Sequence, residues 1–201
     1  MSKIKIFFGG SFDPPHLGHL LMAQLASEKL GAPVTFLPAG IPPHKQVRCT
    51  AAQRLEMVRL AIAGNTLFSV DDTEIKRREP AYTYETLEQL QARYQLQADS
   101  LYFLLGSDSV TELETWRNPE RIAALCTLLV YPRQAWSELD LTGVRRSLNL
   151  RLEICDAPIV QISSTFIRQR IQQYKSVRYM LPEAVADFIA ERGLYLKEKR
   201  V

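Results

Sequence analysis

Gly9-Gly10-Ser11-Phe12-Asp13-Pro14-Pro15-His16-Leu17-Gly18-His19 is the stretch around which the chain is organised. Ahead of it, Lys3 to Phe8 is predicted as a short buried strand, because Ile4, Ile6, Phe7 and Phe8 form a β-branched and aromatic run of strand length. Behind it, Leu17 to Leu30 is predicted as a helix, with Leu17, Leu20, Leu21, Leu25 and Leu30 near helical spacing. The stretch is therefore a strand-to-helix turn. Two glycines after a strand allow φ > 0 and let the backbone approach a ligand closely. The helix start that follows offers unpaired N–H groups and positive dipole to a phosphate. Pro14 and Pro15 stiffen the approach. His16 and His19, three apart, share one face once the helix has begun and reach one anion, with Gly18 leaving no side chain in the way. Two histidines are also metal-ligand types, but zinc wants three or four ligands and His44 is the only other histidine. Their position at a helix start, where the dipole disfavours cations, favours a bound anion.

The rest of the chain alternates strands and helices. Pro33 to Leu37 is a second strand, and Pro38 to Lys45 is a proline-stiffened loop ending in His44 and Lys45, either a rigid surface turn or a mount for cations. Thr50 caps a helix running to Gly64, with Leu55, Val58 and Ile62 inward. Leu67 to Val70 is a third strand and leads into Asp71 to Glu79, whose Lys76-Arg77-Arg78 reads best as a solvated face. Around Tyr82-Thr83-Tyr84 the next helix begins, with Thr83 and Thr86 supplying cap chemistry and Leu87, Leu90 and Tyr94 the stripe. Ser100 to Leu105, apolar on both faces, is the central strand and delivers Gly106 and Asp108 at its C-terminal end, where open α/β sheets bind ligands. Asp108 suits a helix cap and Trp116 a half-buried core position, or both suit a ligand. Asn118 caps a short helix with Pro119 at its first position, and Cys126 to Tyr131 is the fifth strand. Ser137 to Leu148 reads as a helix interrupted near Gly143; Leu152 to Ile154 and Ile159 to Ile162 read as the last extended segments. Ser163 and Ser164 suit a helix start, with Ile167, Ile171 and Tyr174 as its stripe. Arg168, a cation near that start, opposes the dipole and points to a second anion site. Together these elements predict a single domain over 1–201, a Rossmann-like, doubly wound α/β fold with a parallel sheet.

The opening string resembles the nucleotide-binding signature of the H-x-G-H nucleotidyltransferase superfamily, whose members move a nucleotidyl group from ATP or CTP onto a phosphate and release pyrophosphate. In the form GGSFDPPHLGH it is similar to the bacterial nicotinate-nucleotide adenylyltransferases. Pro42-Pro43-His44-Lys45, Tyr82-Thr83, Gly106-x-Asp108-x7-Trp116 and Ile162-Ser163-Ser164-Thr165-x-Ile167-Arg168 match further motifs of that family, so the resemblance spans about residues 4 to 192. It implies the nucleotidylyl transferase fold and a transfer of adenylyl from ATP to nicotinate mononucleotide, with Mg²⁺ accompanying the ATP and no tightly bound cofactor. It implies that Gly9, Gly10, Ser11, Phe12, Gly18, His19, Gly106, Ile162, Ser163, Ser164, Thr165 and Arg168 bind ATP. His16, His19 and Arg168 become the catalytic residues, while His44, Lys45, Tyr82, Thr83, Tyr84, Asp108, Trp116 and Arg117 meet the acceptor. No residue is assigned to a protein-held metal. Ala81 and Glu85 replace the family's usual Ser and Asp, Pro132-Arg133 inverts its Arg-Pro, and Tyr174 stands where glycine is usual.

Composition narrows the alternatives. At 201 residues the chain fits one substantial core, and 46% hydrophobic with 23% charged residues is ordinary for a globular protein. No apolar run has membrane-span length and the N-terminus lacks a signal pattern, so a cytoplasmic protein without membrane partners is expected. A net charge of +3 suits anionic small substrates and is too small to argue for nucleic acid, which disfavours an RNA-binding module on the same fold. Nicotinamide mononucleotide or pantetheine phosphate remain as other acceptors for the same chemistry. Cys49, Cys126 and Cys155, without CxxC spacing, exclude a disulfide framework or zinc ribbon, and the last two sit in core-like runs.

Overall fold

A computed structural model describes residues 4–42, 46–133 and 140–196. Six strands form one sheet, β1 (Lys5–Gly10), β2 (Val34–Pro38), β3 (Phe68–Val70), β4 (Leu101–Gly106), β5 (Thr127–Tyr131) and β6 (Leu152–Ile154). All are parallel, in the order β3-β2-β1-β4-β5-β6. The order reverses between β1 and β4, which pair through Ile6 with Tyr102 and Phe8 with Leu104. That reversal opens the crevice in which doubly wound sheets hold ligands.

Alternation along the strands divides the core. Ile6, Phe8, Tyr102, Leu104, Leu129 and Tyr131 face α1 (Leu17–Leu30), α2 (Ala51–Ile62), α7 (Ser164–Gln172) and α8 (Glu183–Glu191). Phe7, Leu101, Phe103, Leu105, Leu128 and Val130 face α3 (Thr83–Tyr94), α4 (Ser107–Thr111) and α5 (Pro119–Leu125). Burial of every residue of β4 agrees with its expected central place. The short α6 (Thr142–Ser147) precedes β6. Cys126 and Cys155 are in the core as expected, and Cys49 is buried as well. Among the described residues no helix is long and apolar enough to cross a membrane.

Several local expectations change. Helix α1 spans the predicted residues, but its buried face is Gly18, Met22, Ala23, Ala26 and Ser27, while Leu17 is exposed. Small residues let the helix axis approach the sheet, so the leucines flank the contact rather than fill it. The expected extended segment at Ile159 to Ile162 is not a strand. Tyr174, predicted in the α7 stripe, is 76% exposed with φ of 56°, so it ends the helix in the conformation glycine usually takes. Asn118 holds α5's start by a left-handed backbone (φ 52°), without a side-chain cap. Thr50 does cap α2, its hydroxyl accepting from Gln53 N at 3.2 Å. Lys76 is solvated as expected, but Arg77 is mostly covered and pairs with Glu85 at 3.3 Å.

Candidate active site

The Gly-Gly pair ends β1 rather than forming the turn, and neither glycine has positive φ. Space explains them. A Cβ on Gly9 would stand 2.6 Å from the Phe103 ring, and one on Gly10 would stand 2.9 Å from the Phe12 ring. Phe12 itself takes the left-handed conformation, φ 48°. Its ring is fully buried, edge-on to Phe8 at 5.3 Å and to His19 at 5.1 Å, and this packing offsets the backbone strain. The Phe12 side chain is therefore core, and only its backbone is available to a nucleotide.

The start of α1 also differs from expectation. Leu17 N–H donates to Met180 O at 3.0 Å, while His19 N–H and Leu20 N–H donate to His16 O. Most amides of the first turn are thus engaged within the protein, leaving the imidazoles as the polar groups of this turn. Their rings stack at 3.7 Å. A Cβ on Gly18 would lie 3.0 Å from His16 Nδ1, so glycine there makes room for the ring. Burial, helped by the Arg133 guanidinium, pushes the His16 pKa down to about 3. His16 is therefore neutral, which corrects the expectation of a cation opposed by the helix dipole. His16 N–H donates to His19 Nδ1 at 3.2 Å. With Nδ1 accepting, a neutral His19 carries its ring proton on Nε2.

The predicted second anion motif is fastened to the first. Ser164 Oγ donates to Pro14 O at 2.8 Å, and Arg168 donates to Asp13 O at 2.7 Å and Thr165 Oγ1 at 3.1 Å. Ser163 caps α7, accepting from Phe166 N. Ile162 O accepts from Arg133 Nη1 at 3.3 Å, closing the ring of elements around His16. Arg133 is a residue that sequence reasoning left without a role. Its backbone N–H donates to Ser107 Oγ, its side chain crosses Gly106, and its Nε is buried without a hydrogen-bond partner among the described residues. The one available sign was its place just after β5, at the strand ends where the other motifs lie.

From Gly9, Gly10 and Ser11 a cleft runs across the crevice to Ala39 and Pro42 on one rim and Tyr82, Thr83, Trp116 and Arg117 on another. Trp116 is half-buried, packed on the α3–α5 side of the core. Arg117 lies over the Tyr82 ring at 4.8 Å. Tyr84 faces a separate surface depression with Glu88, Asn118 and Arg121. Asp108 is exposed, its carboxylate folded back over Gly106 rather than lining the cleft. Glu74, unanticipated, lines the cleft and accepts from Thr86 Oγ1 at 2.7 Å. Burial raises its pKa to about 7, against the opposing pull of the Thr86 hydroxyl and Arg77. His44 and Lys45 lie outside the described residues, but both flanks of their loop are visible. Ala39 N–H donates to Gly10 O at 2.9 Å, and Arg54, the other unanticipated residue, reaches the carbonyls of Ser11 and Gly40.

A parallel sheet with this strand order, a tightly packed turn bearing two histidines after β1 and a cleft across the β1–β4 crevice define a nucleotide-handling α/β domain. The sequence model of the cytidylyltransferase-like family matches residues 7–170, and the chain belongs to that family. Within it, the chain is 41% identical over 191 residues to a protein of Exiguobacterium sibiricum named "Probable nicotinate-nucleotide adenylyltransferase", covering 93% of this chain and 96% of that one. A Synechococcus protein of the same name is 42% identical, with 94% of this chain and 92% of that one covered. Among solved structures, the Plasmodium falciparum nicotinic acid mononucleotide adenylyltransferase complexed with NaAD superposes with a TM-score of 0.81. It is 18% identical, with 96% and 97% of the two chains covered, so it speaks for the fold.

Proposed function

We propose that this chain transfers the adenylyl group of ATP to the phosphate of nicotinate mononucleotide, giving deamido-NAD and pyrophosphate, a step of NAD biosynthesis. The observation that carries the reading is the single cleft joining the Gly9–Ser11 turn to the wall of Tyr82, Thr83, Trp116 and Arg117. One end suits a triphosphate and the other a flat, anionic ring.

An oxygen of the acceptor phosphate attacks the α-phosphorus of ATP, and the bond from that phosphorus to the β-phosphate bridging oxygen breaks, its electrons leaving with pyrophosphate. A phosphate monoester has its second pKa near ~6, so the nucleophile is ionised at neutral pH and no general base is needed. Catalysis is then positioning and charge stabilisation. His19, with Nε2–H as donor, and neutral His16 serve as hydrogen-bond donors to the transferring and leaving phosphates. Arg168 and Arg133 supply positive charge, and Ser164 and Thr165 hold the α7 start in place. Neutral imidazoles fit this role, since they donate without the desolvation cost of buried cations. Gly106, Ile162 and Ser163 frame the nucleoside, and Asp108, being exposed, would turn inward to meet a ribose hydroxyl. Lys45 and His44 meet the acceptor phosphate.

Trp116 stacks on the pyridine ring. The first amides of α3 lack intrahelical acceptors, and with Arg117 they favour the nicotinate carboxylate over an amide. Mg²⁺ enters on the ATP, held by phosphate oxygens and water.

Pyrophosphate release from ATP and Mg²⁺, measured in parallel with nicotinate and nicotinamide mononucleotides, tests the reading. A strong preference for the nicotinate form is expected. Release only with the amide form or another phosphate acceptor would reassign the substrate, and release with none would overturn the transfer reading.

A further inference from the structure

We propose that Arg54, together with the Asp13–Tyr195 pair beside it, is a positioning clamp that sets the distance between the turn at Ser11 and the Ala39–Pro42 rim of the cleft during adenylyl transfer. The proposal rests on the transfer reading above. Arg54 is fully buried in α2 among Leu55, Met57 and Val58. Its Nη1 donates to Ser11 O at 2.8 Å, its Nη2 to Gly40 O at 2.7 Å and its Nε to Cys49 O at 3.3 Å. Ser11 follows β1 at the turn where the cleft begins, while Gly40 follows β2 between Ala39 and Pro42 on one rim. One planar guanidinium therefore ties the Ser11 turn and the Gly40 rim to a helix in the core.

A side chain serving only the core would be apolar, since a buried cation carries a heavy desolvation cost. Burial does depress the Arg54 pKa, and the nearby Asp13 carboxylate is the main opposing influence. The arginine makes sense if three carbonyls must be held in fixed relation, which a rigid fork can do and a lysine point charge cannot.

Asp13 completes the clamp from the other side. It is almost fully buried, and its Oδ2 accepts from Arg48 N–H at 2.6 Å. Its Oδ1 accepts from Cys49 N–H at 3.3 Å and from the Tyr195 hydroxyl at 2.7 Å. Tyr195 comes from beyond α8, 182 residues along the chain, and is itself buried. Residues 48 and 49 are thus held through their amides by Asp13 and through a carbonyl by Arg54. Gly40 is thereby tied to Ser11 through the Arg54 guanidinium, and residues 48 and 49, which precede α2, are tied to Asp13 near the His16 turn. None of these side chains lines the cleft, so they act through the backbone they hold.

Arg54→Lys and Tyr195→Phe test the clamp, with wild type alongside. For each, kcat is measured at saturating ATP and nicotinate mononucleotide, and the Kd and stoichiometry of each substrate and the Tm are measured separately. In-line transfer is sensitive to ångström misplacement, so Arg54→Lys is expected to lose on the order of 100-fold in kcat. Each substrate taken alone should still bind with unchanged Kd and full stoichiometry. A merely structural residue would instead lower Tm and binding stoichiometry while leaving kcat per bound site unchanged, and that result overturns the proposal. Tyr195→Phe, which deletes one hydroxyl, decides the matter if Arg54→Lys does not fold. It is expected to lose about tenfold in kcat, the scale of one hydrogen bond to a charged group, with both Kd values unchanged. Wild-type kcat in that variant refutes the clamp. A wild-type enzyme inactive with every acceptor would instead refute the transfer reading beneath it.

Discussion

The proposed donor side and the proposed acceptor side of the cleft are built differently. Around the His16 turn, Asp13, Pro14, Pro15 and His16 are buried, and the carbonyls of Ser11, Asp13 and Pro14 each accept a side-chain hydrogen bond from a distant element. Across the crevice, Tyr82, Thr83 and Trp116 are half-exposed, and Arg117 rests on the Tyr82 ring in solvent. On the proposed assignment, rigidity is concentrated where a phosphorus would be placed in line. Where a ring need only be stacked upon, side chains on a helix start and a loop suffice.

Removing charge stabilisation at the rigid end should give the largest effect. His19→Ala is expected to lower kcat by about 10²–10³-fold, the loss seen on deleting one preorganised donor, in a protein that still folds but with a lower Tm, since the Phe12 and His16 rings lose a neighbour. A variant with near-wild-type kcat would erase the distinction between the two sides.

The two sides should also titrate in opposite senses. Glu74, with its pKa raised to about 7 from an unfolded value of 4.5, binds its proton more tightly in the folded state. Its contribution is complete below about pH 4.5 and is lost as pH rises through about 7. Glu74→Gln keeps the neutral shape and should stabilise the protein at pH 8 by up to about 3 kcal/mol, with no gain at pH 4, as denaturant titrations would show. His16 behaves the other way. Its folded pKa of about 3 lies below the unfolded 6.5, so stability is complete above 6.5 and declines as pH falls towards 3. That decline should run at up to about 1.4 kcal/mol per pH unit and become shallower in His16→Asn. An unchanged slope in that variant would mean that the ring is hydrated and protonates freely.

The smallest effect belongs to the adaptable wall. Trp116→Ala should raise the KM for nicotinate mononucleotide about fivefold, the scale of one aromatic stacking contact, and leave the KM for ATP unchanged. Equal effects on both substrates would place Trp116 in the core's service rather than the ligand's.

The donor side was also the more legible. Glycines, prolines and paired histidines in one string mark a constrained turn, because few other residues fit the close approaches that Gly9, Gly10 and Gly18 require. The acceptor side was legible in Thr83 and Trp116 but not in Glu74, which read as one charge in a solvated run. Arg54 was hidden for the same reason. On an amphipathic helix an arginine beside Leu55 reads as the solvent edge, and nothing local reveals three carbonyls from distant segments converging on it. Tyr84, expected as a ring contact, and Asp108, expected from its motif, have side chains that the fold turns away from the cleft.

By itself the sequence determined the alternation of strands and helices, the central place of β4, the capping of α2 by Thr50 and the position of the constrained turn after β1, since periodicity, capping and steric demand are local properties. Tertiary structure alone decided that His16 is neutral and stacked on His19, that the first-turn amides of α1 are already satisfied, and that Asp13, Arg54 and Tyr195 meet behind the cleft. Burial, desolvation and hydrogen bonding between distant segments exist only once the sheet has brought those segments together.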